Sequence, residues 1–252
     1  MTDTAPQGEL WFRRYVPSDG AAVRLVCFPH AGGSASAFLP LARALAPSVE
    51  VLAVQYPGRQ DRFREPCVDS VHELARLSTL ALRDRGDRPF ALLGHSLGAI
   101  VAYEIARNLA AAGDDAPVHL FVSGRRAPHH HREETVHRLS DDALVAEVGA
   151  LGGTGSRILA DPETRALVLP ALRSDYRASE TYRHRPGAAL RCPVTALTGD
   201  ADPRTTVPEA ADWRDHAPAD AFELIVFEGD HFYLNNRTTE FATALRERLA
   251  VS

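Results

Sequence analysis

"FALLGHSLGAIVAYEIA", residues 90–106, joins a short apolar run to a Gly-x-Ser-x-Gly pentad and then to an apolar segment rich in Ala and Ile. The run at 90–94 fits a buried strand, and the spacing over 97–112 fits a helix that Gly113 ends. A strand passing into a helix through two glycines and a serine makes a sharp turn that lifts the serine side chain clear. The free N–H groups of the new helix then point at it. Ser96 is therefore a candidate nucleophile, and the backbone N–H of Leu97 a candidate oxyanion donor. Such a pentad also occurs by chance with the serine as a plain helix cap, so the rest of the chain has to decide.

Working outward, short apolar runs alternate with helical patterns. Strands are expected at 24–28, 49–56, 90–94, 118–124, 192–199 and 222–229, with an edge strand at 9–16. Helices are expected at 37–46, 70–85 (capped by Ser70), 97–112, near 207–217 and at 235–249. This alternation implies right-handed βαβ units, hence one α/β domain over 1–252 with a mostly parallel sheet and helices on both faces. Ligands bind such sheets at the carboxyl ends of the strands. His30–Gly33, Tyr56–Arg59, Ser96, Asp200, Asp202 and His231 all follow strands, so they converge on one edge.

The rhythm breaks at about 125–191, twice the length of an ordinary crossover. Ser140 can cap one helix there, and Asp161 followed by Pro162 can cap a second that Pro170 should kink or end. A helical insertion beside the active edge is expected to act as a lid. "GGTG" (152–155) lacks the continuation of a phosphate loop and is expected to link the lid helices.

A serine hydroxyl needs a base. His231, in "FEGDHFYL" after the last strand, lies at the expected edge; His95, beside Ser96 on a sharp turn, is expected to be structural. An acid must orient that base. Asp202 in "LTGDADPRT" is the favoured choice, with Asp200 expected to tie down its own turn and Asp230 a weaker candidate. The order Ser96, Asp202, His231 is that of α/β-hydrolases. The loop "FPHAGGSAS" (28–36) is expected to give the second oxyanion donor, from Ala31 ahead of Gly32.

Composition excludes several alternatives. The net charge of −5 argues against nucleic-acid binding as the main task. All 28 basic residues are arginine, which removes Schiff-base lysine chemistry and the Walker lysine. Three cysteines without Cys-x-x-Cys spacing suggest neither zinc nor a disulfide framework. No metal is expected at His129–His131, since consecutive loop histidines cannot all face one ion. No signal peptide or membrane span is evident, so a cytoplasmic protein is expected.

Taken together, "FPHAGGSASAF", "QYPGRQDR", "LLGHSLGA", "LTGDADP" and "GDHFYL" resemble, in order and spacing, a type II thioesterase of polyketide or nonribosomal peptide synthesis, within the α/β-hydrolase superfamily. The resemblance implies hydrolysis of acyl thioesters from the 4′-phosphopantetheine arm of an acyl or peptidyl carrier protein, with no metal or soluble cofactor. It implies an editing role that clears stalled acyl groups. Arg125 and Arg126, in the most basic stretch, are candidates to meet that carrier or its arm. Arg59 is a candidate for the same contact or for bracing its loop against a carboxylate. A simple ester hydrolase, a product-releasing thioesterase, an acyltransferase and a noncatalytic binding protein stay open as alternatives.

Overall fold

The computed structural model of the protein describes residues 10–83, 88–151 and 161–249. Among these, one sheet contains β1 (Phe12–Arg13), β2 (Val23–Phe28), β3 (Val49–Val54), β4 (Phe90–His95), β5 (Leu120–Ser123), β6 (Val194–Gly199) and β7 (Phe222–Phe227). The spatial order is β1-β3-β2-β4-β5-β6-β7. All neighbouring pairs are parallel except β1 with β3. The expected edge strand at 9–16 is thus a two-residue antiparallel strip.

The helices are α1 (Leu39–Leu45), α2 (Val71–Arg83), α3 (Leu97–Ala112), α4 (Asp141–Ala150), α5 (Pro162–Thr181), α6 (Val207–Ala211), α7 (Tyr233–Asn236) and α8 (Thr238–Leu249). Alternate strand residues serve opposite faces. Val26, Phe28 and Leu92 join one core with α2 and α3. Leu25, Cys27 and Leu93 join another with α1 and α8. Burial on both faces is why these strands read as unbroken apolar runs. The one charge inside β2, Arg24, is matched across the ladder by Glu50 at 2.6 Å.

The β5–β6 connection carries α4 and α5. Ser140 Oγ accepts the Ala143 N–H at 3.4 Å, and Asp161 Oδ2 accepts the Thr164 N–H at 2.8 Å, so both helices start where their caps predict. The 152–155 link lies outside the described residues. Pro170 does not end α5, which runs on to Thr181. Proline deprives the Ala166 carbonyl of its helical partner, but Ala166 and Pro170 are both exposed, so water can satisfy it. The neighbouring Leu169 and Leu172 are buried with Leu144 and Tyr176 in a small core that packs on Ala31. That packing carries the helix through. Other boundaries shift by a turn: residues 35–38 form a 3-10 turn before α1, residues 212–216 another after α6, and the closing helix divides at Arg237.

Candidate active site

β4 leads directly into α3 through Ser96, whose backbone sits at φ 55° and ψ −114°. Side-chain-bearing residues rarely occupy this region, so the turn is strained. Two close approaches hold it. A Cβ on Gly94 would lie 2.0 Å from the Gly98 carbonyl oxygen, and a Cβ on Gly98 would lie 2.0 Å from that of Phe28. The pentad's glycines are therefore spatial requirements of the turn. The Ser96 N–H donates to the Ser123 carbonyl of β5 at 2.8 Å, tying the turn to the next strand.

The N–H groups of Leu97 and Ala31 have no hydrogen-bond partner among the described residues. Those of the neighbouring loop residues are taken: Gly33 donates to the His30 carbonyl at 2.9 Å, and Gly32 donates to Asp175 Oδ2 at 2.8 Å.

His231 Nδ1 lies 2.8 Å from Asp202 Oδ2, with the imidazole almost wholly buried and the carboxylate completely so. An ionised carboxylate only accepts, so Nδ1 donates and Nε2 is left as the basic nitrogen. Asp202 Oδ1 is fixed by the Arg204 N–H at 2.8 Å. The other two acids face elsewhere: Asp200 Oδ1 accepts the Gly229 N–H at 2.9 Å, and Asp230 Oδ1 accepts the Phe232 N–H at 2.8 Å. Ser96 Oγ and His231 Nε2 have no hydrogen-bond partner among the described residues.

Two further imidazoles flank His231. The His95 ring centroid lies 5.0 Å from that of His231, and His30 packs against His95 and Phe232. Burial, then the proximity of His231, pushes His95 well below the ordinary histidine range and His30 down to about 4. Both rings are neutral near pH 7. His95 Nδ1 pairs with Ser123 Oγ at 3.0 Å, and Ser123 Oγ pairs with Tyr233 OH at 2.6 Å. This hydrogen-bonded trio is scaffolding, as expected for His95, while neither spacing nor motif in the sequence points to its partners Ser123 and Tyr233.

The candidate arginines part company. Arg59 and Arg126 are both buried, so Arg59 follows its bracing reading, and Arg126 is turned away from the partner contact expected of it. Arg59 forms a two-pronged pair with Asp175 at 2.6 and 2.8 Å, and Arg126 pairs with Glu134 at 2.8 Å. Arg125 is half-buried, with Nη1 on Ser179 Oγ at 3.0 Å and no ion pair among the described residues. Burial beside Arg126 disfavours its charge. It lines a cavity of about 230 Å³ between its loop and α5, with Ile100, Ser179 and Tyr182. Of the three histidines nearby, His131 turns to Glu133, whereas His129 and His130 bring donor atoms within 4.8 Å of each other and of Asp212. His130 Nε2 is hydrogen-bonded to Asp212 at 2.6 Å.

Comparison with known proteins identifies the family. A family model described as a thioesterase domain matches residues 23–249. Thioesterase PikA5 of Streptomyces venezuelae is 51% identical over 244 residues, covering 96% of this chain and 86% of that protein. The gramicidin S biosynthesis protein GrsT of Aneurinibacillus migulanus is 34% identical over 225 residues, 89% of this chain and 88% of the relative. The solved structure of BorB, the type II thioesterase of the borrelidin biosynthetic cluster, superposes with a TM-score of 0.88 at 48% identity. That match covers 95% of this chain and 98% of BorB. The chain belongs to the thioesterase family, built on the α/β-hydrolase fold.

Proposed function

We propose that this chain hydrolyses acyl thioesters held on the 4′-phosphopantetheine arm of acyl or peptidyl carrier proteins, clearing stalled or aberrant acyl groups from polyketide or nonribosomal peptide synthases. The observation that carries the chemistry is the strained turn at Ser96, with the buried His231–Asp202 pair and the unpartnered Leu97 and Ala31 N–H groups on loops at the same end of the sheet. Likeness to PikA5, GrsT and BorB supports the substrate class.

Ser96 Oγ attacks the thioester carbonyl carbon while His231 Nε2 takes its proton. The N–H groups of Leu97 and Ala31 hold the tetrahedral oxyanion, each such donor being worth ~3–4 kcal/mol. Collapse expels the pantetheine sulfur, which receives the proton from His231 and leaves as a thiol. Water then attacks the acyl-serine ester, His231 again takes a proton, and the acid departs as Ser96 is restored. Neutral His30 and His95 place no like charge beside the imidazolium formed at each step. In this reading α4 and α5 form the lid, Arg125 faces the arm's phosphate, and the site of action is the cytoplasm.

The test is a panel of acyl-loaded carrier proteins against simple esters of the same acyl groups, with Ser96→Ala as control. The carrier-bound thioesters should win by about tenfold or more in kcat/KM, since remote binding energy is spent on the transition state. Preference for simple esters would overturn the substrate, and undiminished turnover by Ser96→Ala would overturn the site.

A further inference from the structure

Asp175 is fully buried, lies on α5 within the β5–β6 insertion, and touches both loops that precede it at the active edge. Its Oδ2 accepts the Gly32 N–H at 2.8 Å and Arg59 Nη1 at 2.6 Å, while Oδ1 accepts Arg59 Nη2 at 2.8 Å. Arg59 Nη1 reaches on to the Gly33 carbonyl at 3.0 Å. One carboxylate therefore joins the loop after β2, the loop after β3 and the insertion helix. Leu172, one turn earlier on α5, is seated on the same loop: a Cβ on Gly32 would lie 2.6 Å from its Cδ1.

The loop itself is a tight turn, closed by the Gly33 N–H on the His30 carbonyl, with Gly32 at φ +74°. A positive φ at the third position belongs to the type II turn, which differs from type I mainly by a flip of the central peptide. Here the central peptide is Ala31–Gly32. In the observed orientation its N–H faces the Asp175 carboxylate; flipped, its carbonyl oxygen would face that anion instead. The charge thus rejects the flipped form. The unpartnered Ala31 N–H belongs to the preceding His30–Ala31 peptide, so the flip would not turn it; what Asp175 fixes, through the Gly32 N–H, is the place of the turn that carries it.

From this juxtaposition we infer that Asp175 is a positioning residue for the oxyanion hole, coupling the docked insertion helix to the placement of the turn that carries the Ala31 N–H. It rests on reading the 30–33 turn as half of that hole. Undocking α5 removes the anion and frees the turn, so the site is competent for acylation when the insertion is seated on it. Arg59 holds the carboxylate in place, and the "YPGR" segment becomes part of the catalytic support.

Asp175→Asn and Asp175→Ala test this, assayed on a short acyl N-acetylcysteamine thioester and with a boronic acid that mimics the tetrahedral intermediate. Misplacing one donor predicts a kcat lower by about 10- to 100-fold with KM within about threefold. Boronate affinity should fall in the same proportion. Wild-type kcat in the folded variants, a change confined to KM, or unchanged boronate affinity would each overturn the inference. If the alanine variant does not fold, the near-isosteric asparagine variant decides, with near-UV circular dichroism as its check. Failure of the underlying reading looks different: the wild type itself would neither turn over the thioester nor be labelled at Ser96 by a fluorophosphonate.

Discussion

The tautomer of His231 is set by what its Nδ1 meets, and here that is an acceptor whose second oxygen is already anchored by the Arg204 N–H. Asp202→Asn keeps the shape but can present an amide N–H to Nδ1, which moves the ring proton to Nε2 and abolishes the base. The expected result is a kcat lower by about 10⁴-fold with KM nearly unchanged, read by steady-state kinetics on a soluble thioester. A loss of less than about tenfold would remove Asp202 from the proposed triad. The placement of Ser96, Asp202 and His231 at one sheet edge was legible from sequence because each sits in a short turn directly after a strand, where local turn chemistry and strand order fix the position. Asp175 was not. It lies 116 residues from Arg59, in a helix whose sequence "RSDYRASE" carries charges on every side, and no local pattern marks which one turns inward.

Elements were most legible where burial is symmetrical. Strands buried on both faces announce themselves as apolar runs, and α3 ends at Gly113 in the left-handed conformation that its position predicts. The insertion was less legible because α4 buries little beyond Leu144 and α5 divides its buried residues between the small core over the Ala31 loop and the main core, so caps mark their beginnings while packing sets their lengths. Pro170 makes the difference measurable. It sits mid-helix in α5 at an exposed position, where proline forfeits a hydrogen bond that alanine would make. Pro170→Ala restores that bond but also loosens the unfolded chain, which offsets part of the gain. A net stabilisation of about 1–2 kcal/mol is expected from urea unfolding. Destabilisation would mean that α5 is shaped around the proline and that its seat on the active edge depends on it.

At the scale of the whole molecule, histidines forced to stay neutral tie stability to pH. Burial is the main cause in each case: His30, His119 and His216 are all held down to about 4, against an ordinary value near 6.5. Between these two values the unfolded chain binds protons that the folded one refuses, so unfolding takes protons up and acid favours it. Their destabilising effect is absent above about pH 6.5 and accumulates as pH falls toward about 4, at about 1.4 kcal/mol per pH unit for each proton. Urea midpoints measured from pH 7 down to pH 4.5 should therefore fall steadily, before the carboxylates titrate. His119 separates this effect from catalysis, since it stacks on Phe121 and bonds Thr195 Oγ1 at 2.8 Å, away from Ser96 and His231. His119→Gln should flatten the slope by about one proton while leaving kcat alone. A slope that stays as steep in this variant would mean that the acid sensitivity resides elsewhere, and a flat wild-type profile would mean that the folded protein admits these protons after all.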